Sequence, residues 1–301
     1  MSDALEMNMD LDFVRGRADE VQPGVRRLIA NNPSPFTYQG TNTYIVGRGE
    51  VAIIDPGPDD PAHLETLLEE TKDDKIAAIV VTHTHGDHAT LVNPLQARTG
   101  ARIVGCAPFV PSRKSLVASG IDSSHSRDYV PDQILADNET VEIGDFALKA
   151  LATPGHASNH LCYELVGTGT LFSGDHVMGW STTVVIPPDG DMADYMKSLA
   201  RLIGAEHKIY WPGHGGSVND PQRFTRALMH HRRQREAAIV NRLRKGDRTI
   251  PEIVTAIYEG LDPKLAGAAG MSVLAHLEEL VARGQVVSEG PVSRDSAFRI
   301  A

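Results

Sequence analysis

The sequence predicts a layered α/β domain with mixed sheets, followed by a smaller helical domain of winged-helix order. Three observations predict it. Short β-rich runs alternate with helical patterns as far as about residue 222. The charge balance then reverses, from 17 Lys+Arg against 30 Asp+Glu over residues 1–225 to 12 against 9 over residues 226–301. The 301 residues are enough for about two domains, and 41% apolar with 23% charged residues excludes wholesale disorder.

The elements follow in order. Residues 43–47 and 51–55 are β-rich runs around Gly-Arg-Gly-Glu and form a hairpin. Asp55-Pro-Gly-Pro stops it. Leu64, Leu67 and Leu68 give residues 62–71 a helical apolar stripe. Residues 76–81 are continuously apolar, as in a strand covered on both faces. A short helix follows, then strands at 101–106, 140–143, 146–152, 160–166 and 170–173, a helix at 195–203 and a strand at 208–211. Beyond Gln222, residues 224–245 read as one Arg-rich helix. Thr249-Ile-Pro-Glu252 is a capping box that starts a second, and Asp262-Pro starts a third ending at Arg283-Gly284. Residues 285–288 and 297–300 pair as a terminal hairpin. The implied division is an N-terminal extension (1–23), a catalytic domain (24–222) and a winged-helix-like domain (223–301).

Composition narrows the function classes. The net charge of −10 argues against a generally basic nucleic-acid coat. No run approaches 18 apolar residues, so nothing spans a membrane. The start is acidic and lacks the basic and apolar regions of a signal peptide. Cys106 and Cys162 are too few for a disulfide framework, so a cytoplasmic location is expected and both read as small buried hydrophobes.

Histidine is the unusual count: 13, against 7 Phe and 2 Trp. In an extended segment side chains two apart share a face, so His83 and His85 can grip one metal from the end of the 76–81 strand. After Gly86, Asp87 and His88 face a neighbouring position. Three further candidates stand at strand-to-loop junctions after glycine: His156, Asp175 and His214.

In spacing and order, His83-x-His85-x-Asp87-His88 followed by His156, Asp175 and His214 resembles the ligand series of the metallo-β-lactamase superfamily of hydrolases. The resemblance implies a four-layer αββα sandwich with a two-metal site on its rim. His83, His85 and His156 would hold the first ion, Asp87, His88 and His214 the second, and Asp175 would bridge them. Imidazole and carboxylate ligands suit Zn²⁺, with Mn²⁺ or Fe²⁺ also compatible. Two such ions about 3.5–4 Å apart hold a bridging hydroxide nucleophile, with Asp87 placed to orient it and Asp87 and Asp175 as the catalytic carboxylates. The common β-lactamases of this superfamily have Cys where this chain has Asp175, so antibiotic hydrolysis is not expected.

From about residue 24 onward the chain resembles the β-lactamase-like protein 2 group, on the segments Asn32-Pro-Ser-Pro-Phe-Thr-Tyr-Gln-Gly-Thr-Asn-Thr-Tyr44, Thr153-Pro-Gly-His-Ala-Ser-Asn-His160 and Phe172-Ser-Gly-Asp-His-Val-Met-Gly179. The animal members are endoribonucleases on single-stranded RNA. A phosphodiesterase reading and a glyoxalase II-like thioester or lactone hydrolase reading therefore compete, with a non-enzymatic, metal-stabilised nucleic-acid-binding regulator as a third. The expected partners are a small ester or thioester, or single-stranded RNA, with no membrane. A homodimer through the tail or the 176–194 segment stays open. Asn42, Thr43, His160 and Thr182 are candidate substrate contacts. The other histidines, His63 and His125 among them, read as surface or packing residues. The arginines between residues 230 and 248 can serve phosphates or a solvated helix face equally.

Overall fold

In the computed structural model, residues 5–110, 125–260 and 263–301 are described. Two sheets face each other. The first has seven strands in the order β1 (Asp19–Gln22), β2 (Val25–Ile29), β3 (Asn42–Arg48), β4 (Glu50–Ile54), β5 (Lys75–Val81), β6 (Arg102–Gly105) and β7 (Gln133–Ile134). Its first four strands run antiparallel, and from β4 to β7 the pairing is parallel. The second sheet runs β12 (Ile209–Pro212), β11 (Thr170–Gly174), β10 (Leu161–Leu165), β9 (Phe146–Ala152) and β8 (Thr140–Ile143), with only β11 and β12 parallel.

The period-2 alternation of the second sheet divides the cores. Tyr163, Phe172 and Trp211 point inward and pack with Tyr44, Ile53 and Val80 of the first sheet. Their neighbours Cys162, Leu171 and Tyr210 point outward, against Met192, Tyr195 and Leu199 of helix α4 (Met192–Leu202). Helices α1 (Pro61–Glu70) and α3 (Val92–Thr99) belong with the first sheet, burying Leu64, Leu67, Val92 and Leu95. Between β5 and α3 lies one turn of helix, α2 (Gly86–Ala89). Both cysteines are buried, and burial raises both thiols.

The 24-residue helix α5 (Pro221–Arg244) joins the two domains. Its first half contributes Leu228 and Met229 to the α4 core. Its second half contributes Ile239 and Leu243 to a separate core, with α6 (Ile250–Ile257), α7 (Ala266–Ala282) and the hairpin β13 (Val286–Ser288) and β14 (Phe298–Ile300). The Thr249–Glu252 capping box is present at the start of α6. The expected start of the third helix, Asp262, lies outside the described residues. Among those residues no helix is long and apolar enough to cross a membrane.

One expectation needs correction. The sheet begins at Asp19, inside the stretch read as an extension, because a Pro23-Gly24 turn, with Gly24 at φ 76°, folds β1 back onto β2. Strand β2 itself escapes notice in the sequence because Arg26 and Arg27 interrupt its apolar pattern. Arg27 is buried, with its guanidinium donating to the Asp12 carbonyl.

Candidate metal centre

Four chain segments bring the acidic and imidazole groups to one rim of the sandwich. Strand β5 ends at Val81, the chain bends at Thr82, and His85 then opens α2. Strand β9 leads to His156, β11 ends at Gly174 just before Asp175, and β12 ends just before Gly213-His214. The seven residues the sequence singled out as ligands converge there.

They form two three-residue groups, overlapped by a third made of His83, His88 and Asp175. In the first, His83 Nε2 lies 2.9 Å from His85 Nδ1, which lies 3.0 Å from His156 Nε2. In the second, His88 Nε2 lies 3.3 Å from His214 Nε2, and Asp87 Oδ2 lies 3.3 Å from His214 Nε2 and 3.6 Å from His88 Nε2. Asp175 stands between them. Its Oδ2 is 3.5 Å from His156 Nε2 and 3.4 Å from His214 Nε2, and its Oδ1 is 3.5 Å from His88 Nε2. The backbone makes room for this carboxylate. A Cβ on Gly213 would fall 2.5 Å from Asp175 Oδ1 and 2.6 Å from His88 Cε1.

Hydrogen bonds on the far side of four of the five rings fix which nitrogen faces inward. Thr82 Oγ1 donates to Asp55 Oδ2 and so accepts from His83 Nδ1–H. His88 Nδ1 donates to Asp55 Oδ2, His156 Nδ1 to the Val184 carbonyl, and His214 Nδ1 to the Gly40 carbonyl. The inward nitrogens of His83 and His156 are therefore left as lone pairs. Such outer partners orient metal-bound histidines and are usually required for full affinity.

The residues fit divalent ions. Inward lone pairs of His83 and His156 both meet His85 Nδ1 at hydrogen-bond distance; a single proton there can serve one of them, whereas a cation between the three serves all. The spacings are close to the ~3.3 Å edge of a tetrahedron with 2.0–2.1 Å metal–nitrogen bonds. Asp175 Oδ1 is buried and has no hydrogen-bond partner, a cost that coordination removes. The electrostatics agree. Burial, reinforced by the neighbouring histidines, holds His83 far below the ordinary histidine range and His85 at about 3. In the second group burial works the same way, but carboxylates outweigh it. Asp87, Asp175 and Asp55 raise His88 well above its ordinary range, and Asp175 with Asp87 raises His214 to about 9. The protons on these two rings sit where the site calls for positive charge.

The four candidate substrate contacts fall elsewhere. Asn42 is fully buried, and its Nδ2 donates to the Pro212 and Gly215 carbonyls, tying β3 to the loop that carries His214. Thr43 is fully buried and donates to the Asp55 carbonyl. His160 is buried, and its Nε2 accepts from the Asp175 backbone N–H, so its Nδ1–H goes to Thr153 Oγ1. None of these three has a face open to a substrate; Asn42 and His160 brace the loops that carry His214 and Asp175, and Thr43 braces the turn at Asp55. Thr182 alone is half-buried.

The structure adds three residues. Asp55, at φ 50°, holds both Thr82 and His88. Its signal is a carboxylate at the C-terminal end of β4, beside the strand that feeds His83. His125 and Asp189 stand beside His85, with one donor atom from each of the three within 4.8 Å of the others. His125 is stacked on Phe109 at 3.8 Å and bonded to Thr84. No local spacing links them to the centre, so the packing role first given to His125 understates its position.

Known proteins share this fold and domain order. Residues 37–214 match the profile of the metallo-β-lactamase superfamily, and residues 249–294 that of the β-lactamase-associated winged helix domain. The chain is 31% identical over 277 residues to the β-lactamase-like protein 2 homolog of Drosophila melanogaster, spanning 87% of this chain and 89% of that one. It is 29% identical over 249 residues to an atrochrysone carboxyl ACP thioesterase of Aspergillus chevalieri, spanning 79% and 74%. With a lactamase-like protein of Pestalotiopsis microspora it shares 31% identity over 229 residues, 75% of this chain and 65% of that protein. The fold is shared with a metallo-β-lactamase family protein from Thermus thermophilus, at TM-score 0.78 and 23% identity over 93% and 100% of the two chains.

Proposed function

The chain belongs to the metallo-β-lactamase superfamily of hydrolases, and from that premise we propose that it is a two-metal hydrolase acting on small acyl compounds, thioesters first among them. The observation that carries the two-metal reading is Asp175, within 3.5 Å of His156 on one side and of His88 and His214 on the other. His83, His85 and His156 would hold the first ion, Asp87, His88 and His214 the second, and Asp175 both. The N/O ligands suit Zn²⁺, Mn²⁺ or Fe²⁺. When bound, such ions supply Lewis acidity for the scissile carbonyl and lower the pKa of attacking water.

The remaining steps belong to the chain. Asp87 is the more open carboxylate, its side chain 30% exposed against 9% for Asp175. Burial raises its pKa, but His88 and His214 together hold it far below the ordinary range. A carboxylate so held stays ionised and orients water by hydrogen bonding rather than taking its proton. Asp55, Thr82, Val184 and Gly40 keep the rings aimed.

Two facts support an acyl substrate. One relative is named as a thioesterase. The tail that suggested RNA also uses most of its arginines internally. Arg232 is buried, Arg235 lies over Tyr258, Arg242 pairs with Asp247 and Arg248 with Glu289. The phosphodiester reading keeps Arg233, Arg244 and Lys245 as exposed cations.

The test is hydrolysis of a short acyl thioester and of a labelled single-stranded RNA by zinc- or manganese-loaded protein, with Asp175→Ala alongside. Thioester turnover lost in the variant is the expected result. RNA cleavage lost in the variant, without thioester turnover, would replace the substrate class and keep the metal centre. Fewer than one bound ion per chain after loading would overturn the centre itself.

A further inference from the structure

Arg232 is a charged side chain from α5 that is 3% exposed. Among the described residues no carboxylate pairs with it. One Nη donates to the Thr183 carbonyl, the other lies 3.4 Å from Ser272 Oγ of α7, and its Nε has no partner. The guanidinium carbon lies 5.3 Å from the centre of the Tyr195 ring. A buried cation without a counter-ion is costly, and an apolar side chain would hold α5 to the sandwich more cheaply.

What Arg232 holds explains its presence. Thr183 lies between two ligands of the candidate centre. Its hydroxyl is 2.8 Å from the Asp175 carbonyl and 3.1 Å from that of His176. The next carbonyl along, that of Val184, accepts from His156 Nδ1 at 2.7 Å. Tyr195, beneath the guanidinium, donates to the His176 carbonyl at 3.1 Å. The segment therefore receives a hydrogen bond from the tail at one peptide and gives a metal ligand its orientation at the next.

We infer that Arg232 is a positioning residue through which the C-terminal domain sets the geometry of His156 and Asp175. The inference rests on the two-metal reading above and deepens it. Helix α5, which precedes the residues matched to the winged-helix domain, becomes part of the metal centre's support, with Ser272 of that domain on its far side. Its charge suits the role, because a guanidinium presents donors in a planar fork and holds a carbonyl in a fixed direction.

The experiment compares wild-type protein with Arg232→Met by chelator competition for Zn²⁺ and by the visible spectrum of the Co²⁺-loaded protein. Methionine fills the volume without the charge. The variant is expected to melt with or above the wild type, to bind ions at the His156 site about 10–100-fold more weakly, and to show an altered cobalt spectrum. Its kcat should fall with KM little changed. If Arg232→Met does not fold, Arg232→Lys is measured instead. It keeps the charge without the planar fork, so the ion constant at the His156 site should still weaken. Two tightly bound ions with unchanged constants and spectrum in a folded variant would overturn the role of Arg232 alone. A wild-type chain holding fewer than one ion would overturn the metal centre and this inference with it.

Discussion

The rim of the sandwich and the helical tail are both rich in ionisable groups, yet they use them in opposite ways. At the rim, hydrogen bonds occupy the outer nitrogens of four histidines and leave inner donor atoms facing one another. In the tail several charged groups neutralise each other instead, as in Arg242 with Asp247, Arg248 with Glu289 and Arg283 with Glu236. The difference teaches that a high count of charged residues marks a binding site only where internal partners are missing. By that measure the rim is a site and the basic tail is mostly a set of struts.

The comparison breaks most sharply at the shared carboxylate. Asp175→Ala removes the group between the two clusters, and turnover should fall about 10³-fold, equivalent to several kcal/mol of lost stabilisation. Steady-state rates together with ion stoichiometry check it, and near-wild-type activity would refute the two-cluster reading. Next comes the supporting layer. Asp55→Ala strips His88 and Thr82 of their common partner and should weaken ion binding about 10–100-fold, measured by chelator competition.

In the tail, Leu277→Ala opens a fully buried position and should cost about 2–5 kcal/mol. Both tryptophans, Trp180 and Trp211, precede the tail, so far-UV dichroism registers the tail helices together with the others while tryptophan fluorescence follows the sandwich. Acid should loosen the tail by a different route. Burial, helped by Arg232 and Arg235, lowers His231 to about 4, and burial also lowers His276. A histidine with a depressed folded pKa takes up its proton more readily when unfolded. Its stabilisation is therefore complete above about pH 6.5 and is lost as pH falls toward about 4. Melting followed by dichroism across that window checks it, and a flat profile would show that neither ring is kept neutral by the fold. The smallest effect concerns the exposed cations. Replacing Arg233, Arg244 and Lys245 together by Ala should change thioester kcat/KM less than about twofold. If RNA is the substrate, the log–log salt slope should instead flatten by about 2.

Much of this was legible in the sequence because the ligands are local or are marked by glycine. His83, His85, Asp87 and His88 fall within six residues after a fully apolar strand, and His156 and His214 each follow a Pro-Gly. The strands that face a core on both sides, such as β5, read cleanly for the same reason. Asp55, His125 and Asp189 did not, because their role arises only when β4, the segment at His125 and the loop before α4 meet around His85 and His88. Asn42, Thr43 and His160 were seen as polar residues near the cleft. A sequence does not say whether such a residue faces solvent or the loop behind it, and here all three face the loop.

The outer hydrogen bonds of the histidine rings bear also on how fast the protein can be loaded. Four of the rings are already turned so that the inner nitrogen faces an arriving ion, and at His156 that nitrogen is already free. His88 and His214, which their carboxylate neighbours keep protonated, must each release a proton from the inner nitrogen as the ion enters. Uptake then involves no ring flip but does release protons, so filling of the second group should quicken as pH rises while filling of the first should not.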